Sequence, residues 1–373
     1  MAYRLAVLKE RRAGETRVAA TPETVKKLAA AGAEVRVEAG AGLGSSIPDA
    51  DYQAAGATVA PDAAAALQGA DVVLAVRAPE AELPSGSTLV ALLNPYVERD
   101  ALNRIAASGA SAYAMEFVPR ITRAQVMDVL SSQANLAGYR AVIEAAHAFG
   151  KGFPLMMTAA GTVAAAKVFV MGAGVAGLQA IATARRLGAV VTATDVRPAA
   201  KEQVESLGAK FLAVEDEEFR NAQTAGGYAK EMSADYQAKQ AALVAEHVKK
   251  QDVVITTALI PGRPAPKLLS AEHVASMKPG SVIVDLAVEA GGNAHGSRAG
   301  EPFTTENGVV MVGWPNLPAR IAADASALYA RNLLAFLGLL VKDGALAPDA
   351  EDEILKAALV AQGGAVVHDG LLM

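Results

Sequence analysis

Three glycines near the middle of the chain could bind a phosphorylated ligand. Gly172, Gly174 and Gly177 form a GxGxxG pattern. It directly follows the apolar run Val168–Met171 and directly precedes the helical pattern Leu178–Leu187. In such a pattern the first glycine permits a tight turn, the second lets backbone approach a pyrophosphate, and the third lets the helix pack on the strand. The pyrophosphate lies at the positive end of the helix. The pattern therefore predicts a dinucleotide-binding turn.

A carboxylate ends the next predicted strand. Asp195 lies 23 residues after Gly172, close to the spacing of about 20 expected for the acid that binds the adenosine ribose. A carboxylate there accepts hydrogen bonds from both ribose hydroxyls and repels a 2′-phosphate, so Asp195 favours NAD over NADP. Arg197 could instead grip that phosphate or lie beside the adenine. A further alternative is a Rossmann-like domain that keeps its glycines only for packing.

A second polar cluster lies between the last predicted N-terminal strand and a predicted connecting helix. Arg120, Gln125, Asp128 and Ser131 can satisfy one another there and offer donors to a carboxamide and a ribose. An ordinary charged loop with an Arg/Asp pair is the alternative. Dehydrogenases that act on carbonyls normally present a His or Lys near the nicotinamide. None of the five histidines follows a predicted N-terminal strand, and no pair has metal-ligand spacing, so we expect no metal site.

Two series of short apolar runs predict the strands that position these residues. The first series is Leu5–Leu8, Glu34–Val37, Val72–Val76, Thr88–Leu93 and Ala112–Phe117. The second series is Lys167–Met171, Val190–Asp195, Lys210–Val214, Asp252–Leu259, Ser281–Val288 and Val309–Val312. Helical patterns alternate with the runs, which implies mostly parallel sheets covered on both faces. Six strands fit one doubly wound nucleotide-binding sheet.

The predicted fold is therefore α/β, with two Rossmann-like, doubly wound parallel-sheet domains joined by long helices. Residues 1–130 and 320–373 form the N-terminal domain, which the C-terminal segment completes. Residues 131–319 form the dinucleotide-binding domain, including the connecting helix. The interval 215–251 exceeds the dozen or so residues that a crossover needs. Its paired glycines in 224–228 predict a mobile lid near 220–235, with a surface loop as the alternative.

Composition narrows the class of protein. The 373 residues are more than one hydrophobic core usually organises, and 52% hydrophobic with 20% charged residues excludes low-complexity disorder. The absence of cysteine excludes disulfides, thiolate nucleophiles, Fe–S clusters and cysteine-ligated zinc. A net charge of −5 argues against nucleic acid as a partner. With no targeting or membrane segment evident, we expect a cytoplasmic protein.

Several segments resemble the alanine dehydrogenase and nicotinamide nucleotide transhydrogenase superfamily, over nearly the whole chain. Arg17–Pro22 (RVAATP) matches both branches. The segments that resemble the transhydrogenase branch closely are Arg123–Gln125, Ser131–Tyr139, Met156–Thr162, Thr224–Met232, Ile255–Gly262 and Asp285–Asn293.

The resemblance implies the soluble NAD(H)-binding component, called domain I, of a proton-translocating transhydrogenase. In that family NADH passes a hydride to NADP+ on a second, NADP(H)-binding component, while membrane-spanning subunits couple the exchange to proton movement. The chain resembles the split form, in which domain I is a separate alpha-subunit polypeptide. The resemblance also implies a homodimer without membrane insertion of its own, attached peripherally to the inner (cytoplasmic) membrane through partner subunits.

The resemblance also assigns roles to individual residues. Catalytic contacts to the nicotinamide end fall to a loop with Arg120, Gln125, Asp128 and Ser131, and Gly227 with Tyr228 belongs to the mobile lid. Cofactor binding elsewhere falls to Gly172, Gly174, Val175 and Gly177 at the pyrophosphate, Asp195, Val196 and Arg197 at the adenosine, and less distinctively to Gln240 and Leu259.

Alanine dehydrogenases of this superfamily use a lysine and a histidine in the first domain. At the matching positions this chain has Arg77 and Asn94. The loss of the acid/base histidine agrees with hydride transfer between two nicotinamides, which moves no proton at the reacting carbons. A free-standing alanine-type dehydrogenase, with Arg17 binding a carboxylate, is the main alternative. A catalytically silent NAD-sensing module is another.

Overall fold

The computed structural model describes residues 3–221, 232–260 and 262–372. The chain divides into two compact units. Unit 1 contains the residues up to Gln133 and those from Pro318 onward, and unit 2 is Ala134–Leu317. The first boundary falls inside the long helix Val129–Ala148 and the second inside the short 3-10 helix Leu317–Ile321.

The elements are numbered in chain order. The strands are β1 (Arg4–Val7), β2 (Glu34–Glu38), β3 (Thr58–Ala60), β4 (Val72–Arg77), β5 (Thr88–Leu92), β6 (Ser111–Ala114), β7 (Met156–Thr158), β8 (Gly161–Val163), β9 (Lys167–Met171), β10 (Val190–Thr194), β11 (Lys210–Phe211), β12 (Val253–Thr256), β13 (Val282–Asp285), β14 (Phe303–Thr304), β15 (Val310–Val312), β16 (Val341–Lys342), β17 (Ala345–Leu346), β18 (Leu359–Gln362) and β19 (Ala365–Val366). The α-helices are α1 (Pro22–Ala30), α2 (Asp49–Ala54), α3 (Ala63–Leu67), α4 (Arg99–Ala107), α5 (Val129–Ala148), α6 (Val175–Arg186), α7 (Ala200–Ser206), α8 (Glu217–Arg220), α9 (Ala234–Val248), α10 (Ala271–Ala275), α11 (Ala322–Leu340) and α12 (Glu353–Ala358).

Unit 1 is built on a sheet of order β3-β2-β1-β4-β5-β6-β18-β19. The six strands from β3 to β6 are parallel, whereas β18 and β19 are antiparallel to their neighbours. The order 3-2-1-4-5-6 is that of a doubly wound fold. The apolar face of α11 is buried in the core of this unit through Tyr329, Leu333 and Phe336. The C-terminal segment thus supplies both a core helix and two strands.

Unit 2 repeats the same order with β11-β10-β9-β12-β13-β15, all parallel, and adds β14 antiparallel at one edge. The predicted α/β fold class is confirmed. Each predicted strand of both series is present, although Lys210–Val214 is reduced to the two residues of β11. The predicted helix start at Thr21 is also confirmed, because its side chain and that of Thr24 form a reciprocal cap on α1.

Carboxylates fix the strand ends of each unit in a similar way. At the amino end of each sheet an aspartate accepts a backbone hydrogen bond: Asp71 from Arg4 N at 2.7 Å, and Asp252 from Lys167 N at 2.8 Å. At the carboxyl end of unit 1 Glu38, the last residue of β2, accepts from Lys9 N at 2.9 Å and forms an ion pair with Arg11. These carboxylates hold neighbouring strands in register where the ladder ends.

One hairpin in unit 2 was not predicted from the sequence. It pairs β7 with β8, and all six strand residues are exposed, including the apolar side chains of Met156, Met157 and Val163. Within the described ranges, no helix is long and apolar enough to cross a membrane.

Candidate functional site

The glycine turn of unit 2 has a different steric requirement at each glycine. Gly172 has φ +103°, which side chains rarely adopt, and a Cβ there would lie 2.5 Å from Thr257 Oγ1. A Cβ on Gly177 would overlap the carbonyl oxygen of Gly172. A Cβ on Gly174, by contrast, would meet nothing within 4 Å. The first and third glycines are therefore required by the protein's own packing, and the space over Gly174 is free for a ligand.

The helix that follows this turn begins without a side-chain cap. Gly174 is the N-cap of α6, and in the described chain no side chain accepts from the first-turn N–H groups. The first N–H groups of a helix have no partner within the helix and attract anions. The open space and the uncapped helix start together fit a pyrophosphate. Val175, the first helical residue, is 39% exposed beside them.

Asp195 lies at the carboxyl end of β10 and is already engaged by protein groups. It accepts hydrogen bonds from Ala173 N at 2.7 Å and from Arg197 N at 2.8 Å. The guanidinium of Arg197 also donates to both carboxylate oxygens, at 2.9 and 3.1 Å, and to the carbonyl of Ala173. The hydrogen bond to Asp195 raises the pKa of Arg197. Ribose hydroxyls must therefore share this carboxylate with an arginine, while Val196 lies 54% exposed between the two.

Gln240 and Leu259 lie beside the carboxyl edge of the same sheet in different ways. The Gln240 amide donates to Thr194 Oγ1 at 3.1 Å and accepts from Val214 N at 3.0 Å, so it ties α9 to the end of β10. Its polar atoms serve the fold in this conformation. Leu259, which follows β12, is 55% exposed. A large apolar side chain left at this edge is suited to contact a coenzyme.

Two residues that support the turn were not singled out from the sequence. Thr257 donates to Gly172 O at 3.1 Å and fills the space above that glycine. Gly138 of α5 faces the start of α6 so closely that a Cβ would overlap the backbone of Ala176. A glycine inside a helical pattern signals such a close backbone approach, so Gly138 could have been found. The role of Thr257 depends on the packing of β12 beside β9.

In unit 1 the polar loop before α5 is only partly connected. Asp128 accepts from Ser131 N at 2.8 Å and from Ser131 Oγ at 2.6 Å, which caps the start of α5. The expectation that Arg120 and Gln125 join this pair is wrong. Both are exposed and make no hydrogen bond through their side chains with any part of the chain that the structure describes. Their donors are therefore available to a ligand.

A second group of charges lies at the carboxyl ends of the unit 1 strands. Arg17 is buried and donates to both oxygens of Glu15, at 2.8 and 2.6 Å, and to Gln133 at 2.8 Å. Arg77 donates to Glu15 at 3.2 Å. Glu15 is buried, which opposes its ionisation, but the hydrogen bonds and charges of Arg17 and Arg77 outweigh that and lower its pKa to about 2. Glu10 accepts from Val76 N at 2.6 Å, yet burial raises its pKa to about 7.

Asn94, at the end of β5, has no acid/base group to offer. It adopts φ +46°, and its backbone N–H donates to the carboxylate of Glu116, which also accepts from Leu93 N at 3.2 Å. Burial raises the pKa of Glu116. The glutamate thus serves as a backbone anchor for the end of β5.

Two predicted site residues, Gly227 and Tyr228, lie outside the described residues, as does most of the predicted lid near 220–235. Among the residues that the structure does describe, no three His, Asp or Glu side chains are grouped as metal ligands would be.

Comparison with known proteins identifies relatives over the whole chain. Residues 6–137 match the family model described as Alanine dehydrogenase/PNT, N-terminal domain, and residues 141–369 match the Alanine dehydrogenase/PNT, C-terminal domain. The chain is 55% identical to the first polypeptide of the split NAD(P) transhydrogenase subunit alpha of Rhodospirillum rubrum, covering 99% of this chain and 98% of that protein. It is 31% identical to alanine dehydrogenase of Halomonas elongata, covering 99% and 94%. The crystal structure of transhydrogenase from Sinorhizobium meliloti superimposes with a TM-score of 0.89 at 58% identity, covering 98% of this chain and 100% of that one.

Proposed function

The chain belongs to the alanine dehydrogenase/PNT family, and on that premise we propose that it is the NAD(H)-binding component of a proton-translocating NAD(P) transhydrogenase. In this role it holds NADH for direct hydride transfer to NADP+ on a partner component. The full-length match to the Rhodospirillum rubrum transhydrogenase alpha polypeptide carries the proposal, because it spans both units at 55% identity.

The unit 2 contacts suit the pyrophosphate and adenosine parts of NADH. The uncapped start of α6 offers backbone N–H groups to the pyrophosphate over Gly174. Asp195 accepts from the adenosine ribose, and Arg197, already bound to that carboxylate, is close enough to shield its charge. Exposed Val175 and Leu259 supply apolar contacts.

The unit 1 loop suits the nicotinamide end. The side chains of Arg120 and Gln125, which bond to no described residue, offer N–H donors to the carboxamide and ribose. Asp128 and Ser131 hold each other in place at the start of α5, so the polar surface they present is fixed before a ligand arrives. Gly227 and Tyr228 belong to the proposed lid that excludes water.

The chemistry requires positioning and no proton transfer at the reacting carbons. When bound, NADH supplies a hydride: a C4–H bond breaks on one nicotinamide and a C4–H bond forms on the other, which leaves NAD+ and NADPH. The two C4 atoms must therefore come within about 3 to 3.5 Å. Asn94 at the end of β5 agrees with this chemistry, because its amide does not titrate and no general base is needed there.

The assembly that this function requires has further parts. We propose an NADP(H)-binding component, membrane-spanning subunits that couple the transfer to proton translocation, and a homodimer of this chain. The chain is then attached to the cytoplasmic face of the inner membrane through these subunits.

The test is hydride exchange between nucleotide analogues on the purified chain mixed with an NADP-loaded partner component. We expect NADH binding by the chain alone and rapid exchange only with the partner. Turnover of NADH with pyruvate and ammonia in the absence of a partner would instead establish an alanine dehydrogenase. Tight NADH binding without transfer in the reconstituted complex would establish a sensing module. Arg120→Ala should slow exchange while leaving thermal stability unchanged, because its side chain makes no hydrogen bond within the described chain.

A further inference from the structure

The segment after β12 presents two apolar side chains at the carboxyl edge of the unit 2 sheet. Leu259 is 55% exposed and Ile260 is 46% exposed. Large apolar residues at such exposure gain nothing from the core, so their conformation depends on what holds the backbone beneath them.

Asn293 holds that backbone. Its side-chain amide donates to Ala258 O at 2.8 Å and to Pro266 O at 2.8 Å, and its Oδ1 accepts from Ala258 N at 3.0 Å. Both backbone polar groups of Ala258 are therefore paired with one side chain, 35 residues away in sequence. Asn293 is fully buried, at 0% exposure, and every hydrogen-bonding atom of its amide is used for this purpose.

Asp285 in turn fixes Asn293. Its carboxylate, 1% exposed at the end of β13, accepts from Asn293 N at 2.7 Å, Ala294 N at 2.9 Å and Ala287 N at 2.9 Å. The carbonyl of Asn293 also accepts from Leu268 N at 2.7 Å. A residue held on both sides of its backbone can transmit little play to the segment it supports.

The supported segment lies against the glycine turn. Ala258 N is 3.6 Å from the place that a Cβ on Gly172 would occupy, and Thr257, the residue before it, donates to Gly172 O. Asn293 thus sets the position of the backbone next to the pyrophosphate turn without itself reaching the open space over Gly174.

We propose that Asn293 is a positioning residue for dinucleotide binding: it pins Ala258 so that Leu259 and Ile260 lie where the coenzyme contacts them. The inference rests on the proposed function, since it takes the glycine turn of unit 2 as the site of NADH. Loss of the amide frees the segment, and NADH binding then has to restore its order.

The experiment compares Asn293→Ala and Asn293→Ser with Asn307→Ala in the full-length chain. Asn307 is a matched control, because its amide also donates to two carbonyls, Val274 O at 3.0 Å and Ala275 O at 3.3 Å, and accepts from Thr305 Oγ1 at 2.7 Å. It precedes β15 and so lies at the opposite, amino edge of the sheet. NADH affinity is measured by fluorescence titration well below the thermal midpoint of each variant.

We expect both Asn293 variants to raise the Kd for NADH about tenfold, the order of effect expected when supporting groups shift a contact by a fraction of an ångström. Asn307→Ala should lower the thermal midpoint and leave the Kd unchanged. Equal Kd values for wild type and Asn293→Ser would overturn the inference, as would an equal rise in Asn307→Ala. If the alanine variant does not fold, the serine variant decides. Failure of the wild-type chain to bind NADH would overturn the proposed function instead.

Discussion

Gly174→Ala separates ligand space from folding space in the glycine turn. Gly174 has φ −73° and ψ −168°, a conformation open to alanine, and a Cβ there would meet nothing within 4 Å of the chain. Replacing a glycine by alanine in a compatible conformation changes the free energy of unfolding by about 0.4 to 1 kcal/mol, in the stabilising direction. We therefore expect the thermal midpoint of Gly174→Ala to equal or slightly exceed that of the wild type.

The same methyl group occupies the space that we assign to the pyrophosphate. Adding a methyl group to a filled contact costs about 1 to 3 kcal/mol, so the Kd for NADH should rise about 5- to 150-fold. Fluorescence titration gives the Kd, and thermal unfolding with and without NADH gives the stability. Gly177→Ala is the control, because its Cβ would overlap Gly172 O and must destabilise the turn itself. Wild-type affinity in Gly174→Ala, or a loss of stability equal to that of Gly177→Ala, would refute the steric reasoning.

Three further perturbations test other contacts. Arg197→Ala leaves the Asp195 charge unshielded, so the ratio of the Kd for NADPH to that for NADH should rise about tenfold; an unchanged ratio in paired titrations would contradict this. The pKa of Glu10, raised to about 7 in the folded chain, means that its contribution to stability is full below pH 4.5 and is lost as the pH rises to 7. That loss is about 3 kcal/mol at most, and Glu10→Gln should remove it from denaturation curves recorded across this range, whereas an unaltered pH profile would contradict it. Asp128→Ala should cost about 1 kcal/mol through loss of the α5 cap on Ser131, whereas Asp128→Asn, which can still cap, should not; equal denaturation midpoints for the two variants would count against the cap.

The fold could be predicted because its signals are local. Buried parallel strands are continuous apolar runs between turn residues, and both series of runs have that form. The strand that was missed, Thr58–Ala60, has three residues, of which only Ala60 is buried, so it carries no apolar run. Lys210–Val214 was predicted too long because a run of apolar residues continues after β11 where pairing has already ended.

The candidate site was less accessible from sequence because its contacts are not local. The glycine turn could be located since each glycine answers a steric need within six residues. The amide of Gln240 meets Val214 across 26 residues, and that of Asn293 meets Ala258 across 35, and no short motif encodes either approach. Arg120 shows the reverse error. Its charge suggested a partner in the loop, but the loop conformation keeps Asp128 on Ser131.

Two units with one strand order need not hold two coenzymes. In unit 1 the segment after β1 carries Lys9 and Arg11, both bound to Glu38, in place of a glycine turn. Its first helix, α1, begins only at Pro22 and is closed by the cap on Thr21. A helix start already satisfied by its own side chains offers no N–H groups to a pyrophosphate. Equilibrium dialysis with NADH should therefore saturate at one molecule per chain, and the doubled architecture should have a single occupancy.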